Sequence, residues 1–161
     1  MTVIAWIVEG TWPACVDAAR THAPDGADIV LLHVTDPEAM NAARGSYAGL
    51  LGRARPDRDP AVPVGTLASA AADRLLADAA ARLGRPATRL HRTGRPEHEV
   101  TSTAGPTDLL VLTRDGAPTR PGPHSLGPAT RFVVDHAPCP VLLVWPEAPL
   151  PEREKPGHGM P

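Results

Sequence analysis

The sequence predicts an α/β protein built on a single doubly wound, five-stranded parallel sheet with helices on both faces. Five short runs of apolar, often β-branched residues lack polar–apolar alternation, which is typical of strands buried on both faces. Segments with apolar residues at helical spacing lie between these runs, and turns rich in Gly and Pro separate them. Strands that alternate with helices form parallel sheets with right-handed crossovers.

The first elements follow from the N-terminal sequence. The run over residues 3–8 predicts the first strand, and Pro13 marks the first turn of the helix after it. Thr11 or Trp12 is the predicted cap of that helix. The continuous apolar run over residues 28–34 predicts the second strand.

The middle of the chain predicts an irregular insertion followed by a long helix. Residues 38–64 are rich in Gly, Pro, Arg and Asp, and we expect a long variable loop there. Thr66 is the predicted cap of a helix that ends at Leu83, with Asp78 and Arg82 as an i,i+4 ion pair. Its predicted apolar face consists of Leu67, Ala71, Leu75, Ala79 and Leu83.

The last third of the chain predicts three more strands and two more helices. Strands are predicted over residues 87–91, 108–112 and 141–145, and a short helix begins at 94–96. The final helix has a predicted apolar face formed by Ala129, Phe132, Val133 and His136. Residues 1–146 therefore form the predicted domain, and the Pro-rich, charged segment 147–161 is predicted to be a disordered tail.

Composition restricts the partners of the chain. Hydrophobic residues make up 42% of the 161 residues, yet no apolar run approaches the length that spans a membrane. The net charge is −2 with both signs interleaved, so no basic stripe for nucleic acid is visible. One Tyr and one Phe offer no stacking platform for bases. We expect neither a membrane nor a nucleic acid as partner.

The compartment is predicted from the N-terminus and the cysteines. No basic region precedes the first apolar run, and Glu9 interrupts it, so we expect no signal peptide. Two cysteines, Cys15 and Cys139, do not make a disulfide framework, which favours the reducing cytoplasm.

Four short motifs together resemble the universal stress protein family. The first strand ends in Val-Glu-Gly-Thr at 8–11, where members have Val-Asp-Gly-Ser, and the second ends in Leu-His-Val at 32–34. A Gly-Arg-Pro turn at 94–96 loosely matches the family's turn before a short helix. His-Ala-Pro-Cys-Pro-Val-Leu-Leu-Val at 136–144 is nearly the family's closing string. The resemblance covers about residues 2–146.

The resemblance implies a sheet order of 3-2-1-4-5. It places a ligand crevice between the carboxyl ends of strands one and four, with Glu9 and Gly10 facing the loop over residues 113–127. It also implies a homodimer through the exposed edge of the last strand, since edge strands invite pairing. The interface residues are then Val141, Leu142, Leu143 and Val144.

Nucleotide-binding members share a pattern of Gly, two residues, Gly, nine residues, and Gly followed by Ser or Thr. Here Thr113 stands at the first glycine, Gly116 keeps the second, and ten residues separate it from Gly127. Pro128 replaces the Ser or Thr and removes both a hydroxyl and a backbone donor. The phosphate half of the site is therefore predicted to be damaged.

Some neighbouring groups could compensate for these losses. Glu9 keeps a carboxylate for the ribose or adenine edge, the Val34 backbone could hold adenine, and Ser125 could supply a hydroxyl. Arg114, Arg120 or Arg131 could supply positive charge. The candidate residues for binding ATP, with Mg, are Glu9, Gly10, Val34, Thr113, Arg114, Gly116, Ser125 and Gly127. No catalytic residue and no metal site is predicted.

Three functional hypotheses remain open. The first is a cytoplasmic binding or signalling module in the stress response that lacks turnover and weakly binds ATP or another adenine nucleotide. The second is a nucleotide-free dimeric module for protein interaction, with the 38–64 loop and the tail as contact surfaces. The third is a slow ATP hydrolase of the related superfamily, disfavoured because the segment after the first strand has one glycine rather than a Ser- and Gly-rich loop.

Overall fold

A computed structural model, which describes residues 1–42, 64–115 and 126–146, confirms the predicted fold class. One five-stranded sheet has the order β3-β2-β1-β4-β5, and its neighbouring strands pair in parallel. The strands are β1 Thr2–Trp6, β2 Asp28–Thr35, β3 Thr88–Thr93, β4 Leu109–Thr113 and β5 Val141–Val144. The helices are α1 Trp12–His22, α2 Val64–Leu83, α3 Pro96–Thr103 and α4 Pro128–His136.

The core forms two layers, one on each face of the sheet. One layer packs α1 and α2 against side chains such as Val3, Ala5 and Leu31. The other packs α3 and α4 against side chains such as Ile4 and Leu32. Successive residues of β1 therefore enter opposite layers, which explains why this central strand is apolar throughout.

The five predicted strands are all present, with small shifts of their ends. β1 ends at Trp6 rather than Val8, although the Ile7 N–H still donates to the Leu32 carbonyl at 2.7 Å. β5 ends at Val144. Trp145, predicted to be its last residue, is 59% exposed.

Asp108, predicted as the first residue of the fourth strand, instead anchors the turn before β4. Its carboxylate accepts the Gly105 N–H at 2.8 Å and the Thr2 N–H at 3.1 Å. The hydrogen bond from Gly105 is the main interaction that lowers the pKa of the Asp108 carboxyl, and the hydrogen bonds from Thr2 lower it further. The contact joins the amino ends of β1 and β4, so it helps to fix their register.

The predicted irregular insertion is corrected at both ends. Residues 37–42 are helical, because Pro37 suits a first turn and the Asp36 carboxylate accepts the Glu38 N–H at 2.8 Å. At the other end α2 begins at Val64, two residues before the predicted cap Thr66. The rest of the insertion and the predicted tail lie outside the described residues.

The apolar face of α2 is rotated from the predicted one. The residues that enter the core are Ala72, Leu76, Ala79 and Leu83. Leu67 is 60% exposed, Ala71 is also exposed, and Leu75 is half-buried. Alanine is frequent along this helix, so two apolar stripes compete, and only contact with the sheet selects one of them.

Arg82 does not make the predicted pair within α2. Its guanidinium binds the Asp17 carboxylate on α1 through two bonds, Nε at 2.9 Å and Nη2 at 2.6 Å. The hydrogen bond from Arg82 lowers the pKa of the Asp17 carboxyl. The correction arises because α1 and α2 pack side by side and bring the carboxylate to the arginine.

Within the described ranges, no helix is long and apolar enough to cross a membrane.

The rotated face of α2 is tested by two leucine truncations in one helix. Leu76→Ala should lower the free energy of unfolding by about 2–5 kcal/mol, because it opens a cavity in the core. Leu67→Ala, the matched control at an exposed position, should change it by no more than about 0.5 kcal/mol. Urea unfolding followed by circular dichroism measures both values. The reverse ranking would restore the face predicted from sequence.

Candidate functional site

The candidate site is the crevice at the carboxyl ends of β1 and β4. These strands are neighbours, yet the chain leaves β1 toward β2 and leaves β4 toward β5. Such a switch point is where open α/β sheets place their ligands. The loop over residues 7–11 and the segments around 113–115 and 126–128 border it.

A hydrogen bond between two threonines spans this crevice. The Thr113 hydroxyl at the end of β4 donates to the Thr11 hydroxyl at 3.0 Å. Thr113 is 5% exposed, whereas Thr11 is half-buried. Gly10 places Thr11 there through a turn with φ of +84°, a conformation that favours glycine. Thr113, which stands at the first glycine of the family pattern, thus has its hydroxyl engaged in a hydrogen bond within the chain.

The Cys15 thiol lies beneath this contact and links the same two strands. Its Sγ is 3.4 Å from the Trp6 carbonyl and 3.4 Å from the Val111 carbonyl. Burial raises the pKa of Cys15 to about 12, so the thiol is not a nucleophile near neutral pH. The side chain is a packing residue, as the apolar helix face predicts.

Asp115 occupies the amino end of α4. Its Oδ1 accepts the Gly127 N–H at 2.7 Å, and Gly127 is the residue that caps the helix. A Cβ on Gly127 would collide with the Asp115 carboxylate, so the two groups are in close contact. The positive end of the helix dipole favours a negative charge at this point. A carboxylate of the chain itself therefore binds where the family pattern would place a phosphate.

Arg114 lies toward β5. Its backbone N–H donates to the Val144 carbonyl at 2.8 Å, and its guanidinium carbon is 5.6 Å from the centre of the Trp145 ring. A cation over an indole face at this distance makes a cation–π contact. The Arg114 guanidinium thus has the Trp145 ring, just after β5, as a partner.

The remaining predicted site residues are spread over the crevice. Glu9 and Gly10 follow β1 and are exposed, while the Val34 side chain is buried in the α3–α4 layer, which leaves its backbone as the group for a ligand. Gly116 and Ser125 lie outside the described residues. The assignment of these residues to a nucleotide stays a prediction.

Two cavities border the crevice on the α1–α2 side of the sheet. One, of about 520 Å³, lies between α1 and the end of β5 and is lined by residues that include Thr11 and Trp145. The other, of about 540 Å³, lies between the end of β2 and α2 and is lined by residues that include Glu9 and His33. Asp115 and Gly127 line neither cavity, and no cluster of three metal-ligating side chains occurs in the described parts of the chain.

Sequence reasoning missed Thr11 as a partner of Thr113 and Asp115 as the cap of α4. One indication was available: the first backbone N–H groups of a helix have no acceptor within the helix, and an acidic side chain is favoured near them. Asp115 stands at the start of the loop before that helix. The Thr11 contact joins residues 102 positions apart, and no local pattern indicates it.

The sheet order and its switch point define a doubly wound α/β protein with one crevice between β1 and β4. The model of the universal stress protein family matches residues 9–144. The chain therefore belongs to the universal stress protein family, as its motifs predict. No curated protein matches it.

Solved structures share this fold. Hypothetical protein MJ0577 superposes with a TM-score of 0.63 at 15% identity, covering 92% of this chain and 97% of that chain. Universal stress protein UspA from Lactobacillus plantarum gives 0.53 at 20% identity, covering 89% and 97%. The universal stress protein from Archaeoglobus fulgidus gives 0.54 at 14% identity, covering 89% and 98%. At these identities the likeness shows the fold alone.

The threonine contact is tested by removing each hydroxyl without changing the shape of the side chain. Thr11→Val should lower the free energy of unfolding by about 1–3 kcal/mol, because the buried Thr113 hydroxyl loses its acceptor. Thr113→Val should cost less, since water can reach Thr11. The double variant should recover most of the Thr11→Val loss. Additive losses in this cycle, measured by chemical unfolding, would show that the two hydroxyls are not coupled.

Proposed function

We propose that this chain is a non-enzymatic universal stress protein module that acts as a homodimer and does not hold the phosphates of ATP. The supporting observation is the contact between the Asp115 carboxylate and the Gly127 N–H. This contact favours the second hypothesis, a nucleotide-free module of the stress response, over weak ATP binding.

The residues of the phosphate half do not fit ATP. A triphosphate would compete with Asp115 for the same helix end, and the two negative groups would repel each other. Pro128 supplies neither an N–H nor a hydroxyl, and the Thr113 side chain takes the place where a glycine would let the backbone approach. Each hydrogen bond left unmade costs about 1–3 kcal/mol when its partner is buried.

The same arrangement argues against turnover. Hydrolysis would require the γ-phosphate to lie at the amino end of α4, where the Asp115 carboxylate is bound. The Thr113 hydroxyl donates to the Thr11 hydroxyl, and among residues 1–42, 64–115 and 126–146 no carboxylate or imidazole is hydrogen-bonded to either of them. The Cys15 thiol is protonated and buried below them. These features favour a module that binds a partner or signals and catalyses no reaction over a slow ATP hydrolase.

The edge of β5 supports a homodimer. The carbonyls of Pro140 and Val144 accept hydrogen bonds from the N–H groups of Leu110, in β4, and Arg114, just after it. Backbone groups alternate in direction along a strand, so those of Leu143 point away from the sheet. The side chains of β5 are half-buried and apolar. An edge of this kind can pair with the same edge of a second copy.

Nucleotide binding is tested on the purified protein. The supernatant of the denatured protein should contain no ATP, ADP or AMP, and about 1 mM Mg-ATP should leave the melting temperature unchanged. A dissociation constant of about 0.1 mM would instead raise it by about 3–5 °C. Bound nucleotide or such a rise in the wild-type protein would contradict the proposal and favour the ATP-binding hypothesis.

Asp115→Asn separates the role of this charge from the rest of the cleft. The amide oxygen can still accept the Gly127 N–H, so the stability of the variant should stay within about 1 kcal/mol of wild type. If the negative charge is the main obstacle, Mg-ATP should stabilise this variant. Asp25→Asn, which removes an exposed carboxylate in the turn after α1, is the control and should not respond.

The dimer is tested by light scattering coupled to size exclusion. Wild-type protein at micromolar concentration should have twice the chain mass of 16.9 kDa. Leu143→Pro removes an outward N–H from the β5 edge and should give a monomer that still unfolds cooperatively. A wild-type monomer, or a dimer unaffected by this substitution, would rule out pairing through β5.

A further inference from the structure

Two histidines form a cross-strand pair between β2 and β3. His33 and His91 are register partners in the parallel ladder, and their rings stack with centroids 5.8 Å apart and planes inclined by 27°. Both rings are half-buried on the face of the sheet that α2 covers. Strand β3 is an edge strand whose neighbour in the sheet is β2. The pair therefore lies at the one junction between β3 and the sheet.

Hydrogen bonds fix the orientation of each ring. His33 Nδ1 lies 2.8 Å from the Ile7 carbonyl, which can only accept, so this nitrogen carries a hydrogen. His91 Nε2 lies 2.8 Å from the Thr35 hydroxyl. The Thr35 carbonyl in turn accepts the Gly94 N–H at 3.0 Å, just after β3. The rings cannot easily turn away from each other without breaking these contacts.

The charges around the pair come from three elements. On α2, the charge of the Asp73 carboxylate favours a protonated His91 and so raises its pKa. Arg74 and Asp78, also on α2, line the cavity that His33 lines. The loop after β1 contributes Glu9 to the same cavity. On β3, strand alternation places Arg89 on the face of His91. Acidic and basic groups are both present, so the pair is not held charged by one dominant carboxylate.

We propose that the His33–His91 pair is a pH-sensitive latch, which holds β3 to β2 near neutral pH and releases this edge strand under mild acid. Two imidazolium rings at this separation repel each other, and their partly buried position weakens the screening by water. The pair therefore accepts a first proton more readily than a second. When β3 is released or unfolded, the two rings are no longer held together, so this repulsion does not oppose the second proton.

The sign of the effect follows from proton linkage. Burial lowers the pKa of His91, and the charge of His33 lowers it further, while Asp73 opposes both. The attached strand thus binds fewer protons than the released one. The contribution of the histidine pair to the attachment of β3 is therefore fully present above the ordinary histidine pKa of about 6.5. It is lost as the pH falls below that value and through the lowered pKa of His91. Carboxylates titrate lower, so the window of about pH 7.5 to 5.5 isolates the histidines.

Hydrogen exchange on the full chain tests the latch. Between about pH 7.5 and 5.5 the protection factors of the β3 amides, corrected for intrinsic exchange, should fall by up to about tenfold, because pH 5.5 lies about one unit below the ordinary histidine pKa, while those of β1 and β4 should change little. His91→Gln keeps a nitrogen for the Thr35 hydroxyl and should abolish the change. His22→Gln, at an exposed position on α1, is the matched control and should behave as wild type.

A second measurement keeps the test decisive if a variant fails to fold. The ring signal of His91 in wild-type protein should titrate below the ordinary histidine pKa, and His33→Asn, which preserves the donor to the Ile7 carbonyl, should raise its midpoint. A His91 midpoint at the ordinary histidine pKa that this substitution does not move would overturn the proposal. So would equal loss of protection across all five strands.

Discussion

The parallel pairing of β1 with both β2 and β4 is the constraint on which the rest of the structure depends. Val3 pairs with Ile29 on one side and Leu109 on the other, and both faces of the strand are buried. The central strand can satisfy its backbone only between these two neighbours. Because the chain leaves them in opposite directions, a crevice forms at their carboxyl ends. The Cys15 thiol and the hydrogen bond between Thr113 and Thr11 then connect the two walls of that crevice.

The amino end of α4 presents backbone N–H groups, and this chain places a carboxylate of its own against one of them. Helix N–H groups need an acceptor, and a ligand phosphate or a side chain can provide it. Here Asp115 does so, next to a proline that has no N–H of its own. One N–H group at the start of α4 thereby has its acceptor within the chain. A phosphate bound at this helix end would have to displace the Asp115 carboxylate from the Gly127 N–H.

Local patterns predicted the strands because burial on both faces leaves a continuous apolar run, which depends little on the partner. The apolar face of α2 could not be predicted in the same way, since Leu75 and Leu76 are adjacent and only the sheet decides which one is buried. At the site, Thr113 and Pro128 departed visibly from the family pattern. The contacts of Thr11 and Asp115 depend on tertiary structure, so the sequence could show that the pattern was broken but could not show what replaced it.

The two edges of the sheet have different chemistry, and this difference assigns them different roles. In β3 the half-buried Leu90 and His91 lie between the exposed Arg89 and Arg92, and such charges discourage pairing with another chain. β5 has four apolar residues and no charge. This contrast supports β5 as the edge for the proposed homodimer. Release of β3 would occur at the opposite edge of the sheet, where three intervening strands separate it from that interface. A change at the histidine pair would thus alter one edge of the sheet and leave the proposed pairing through the other edge intact.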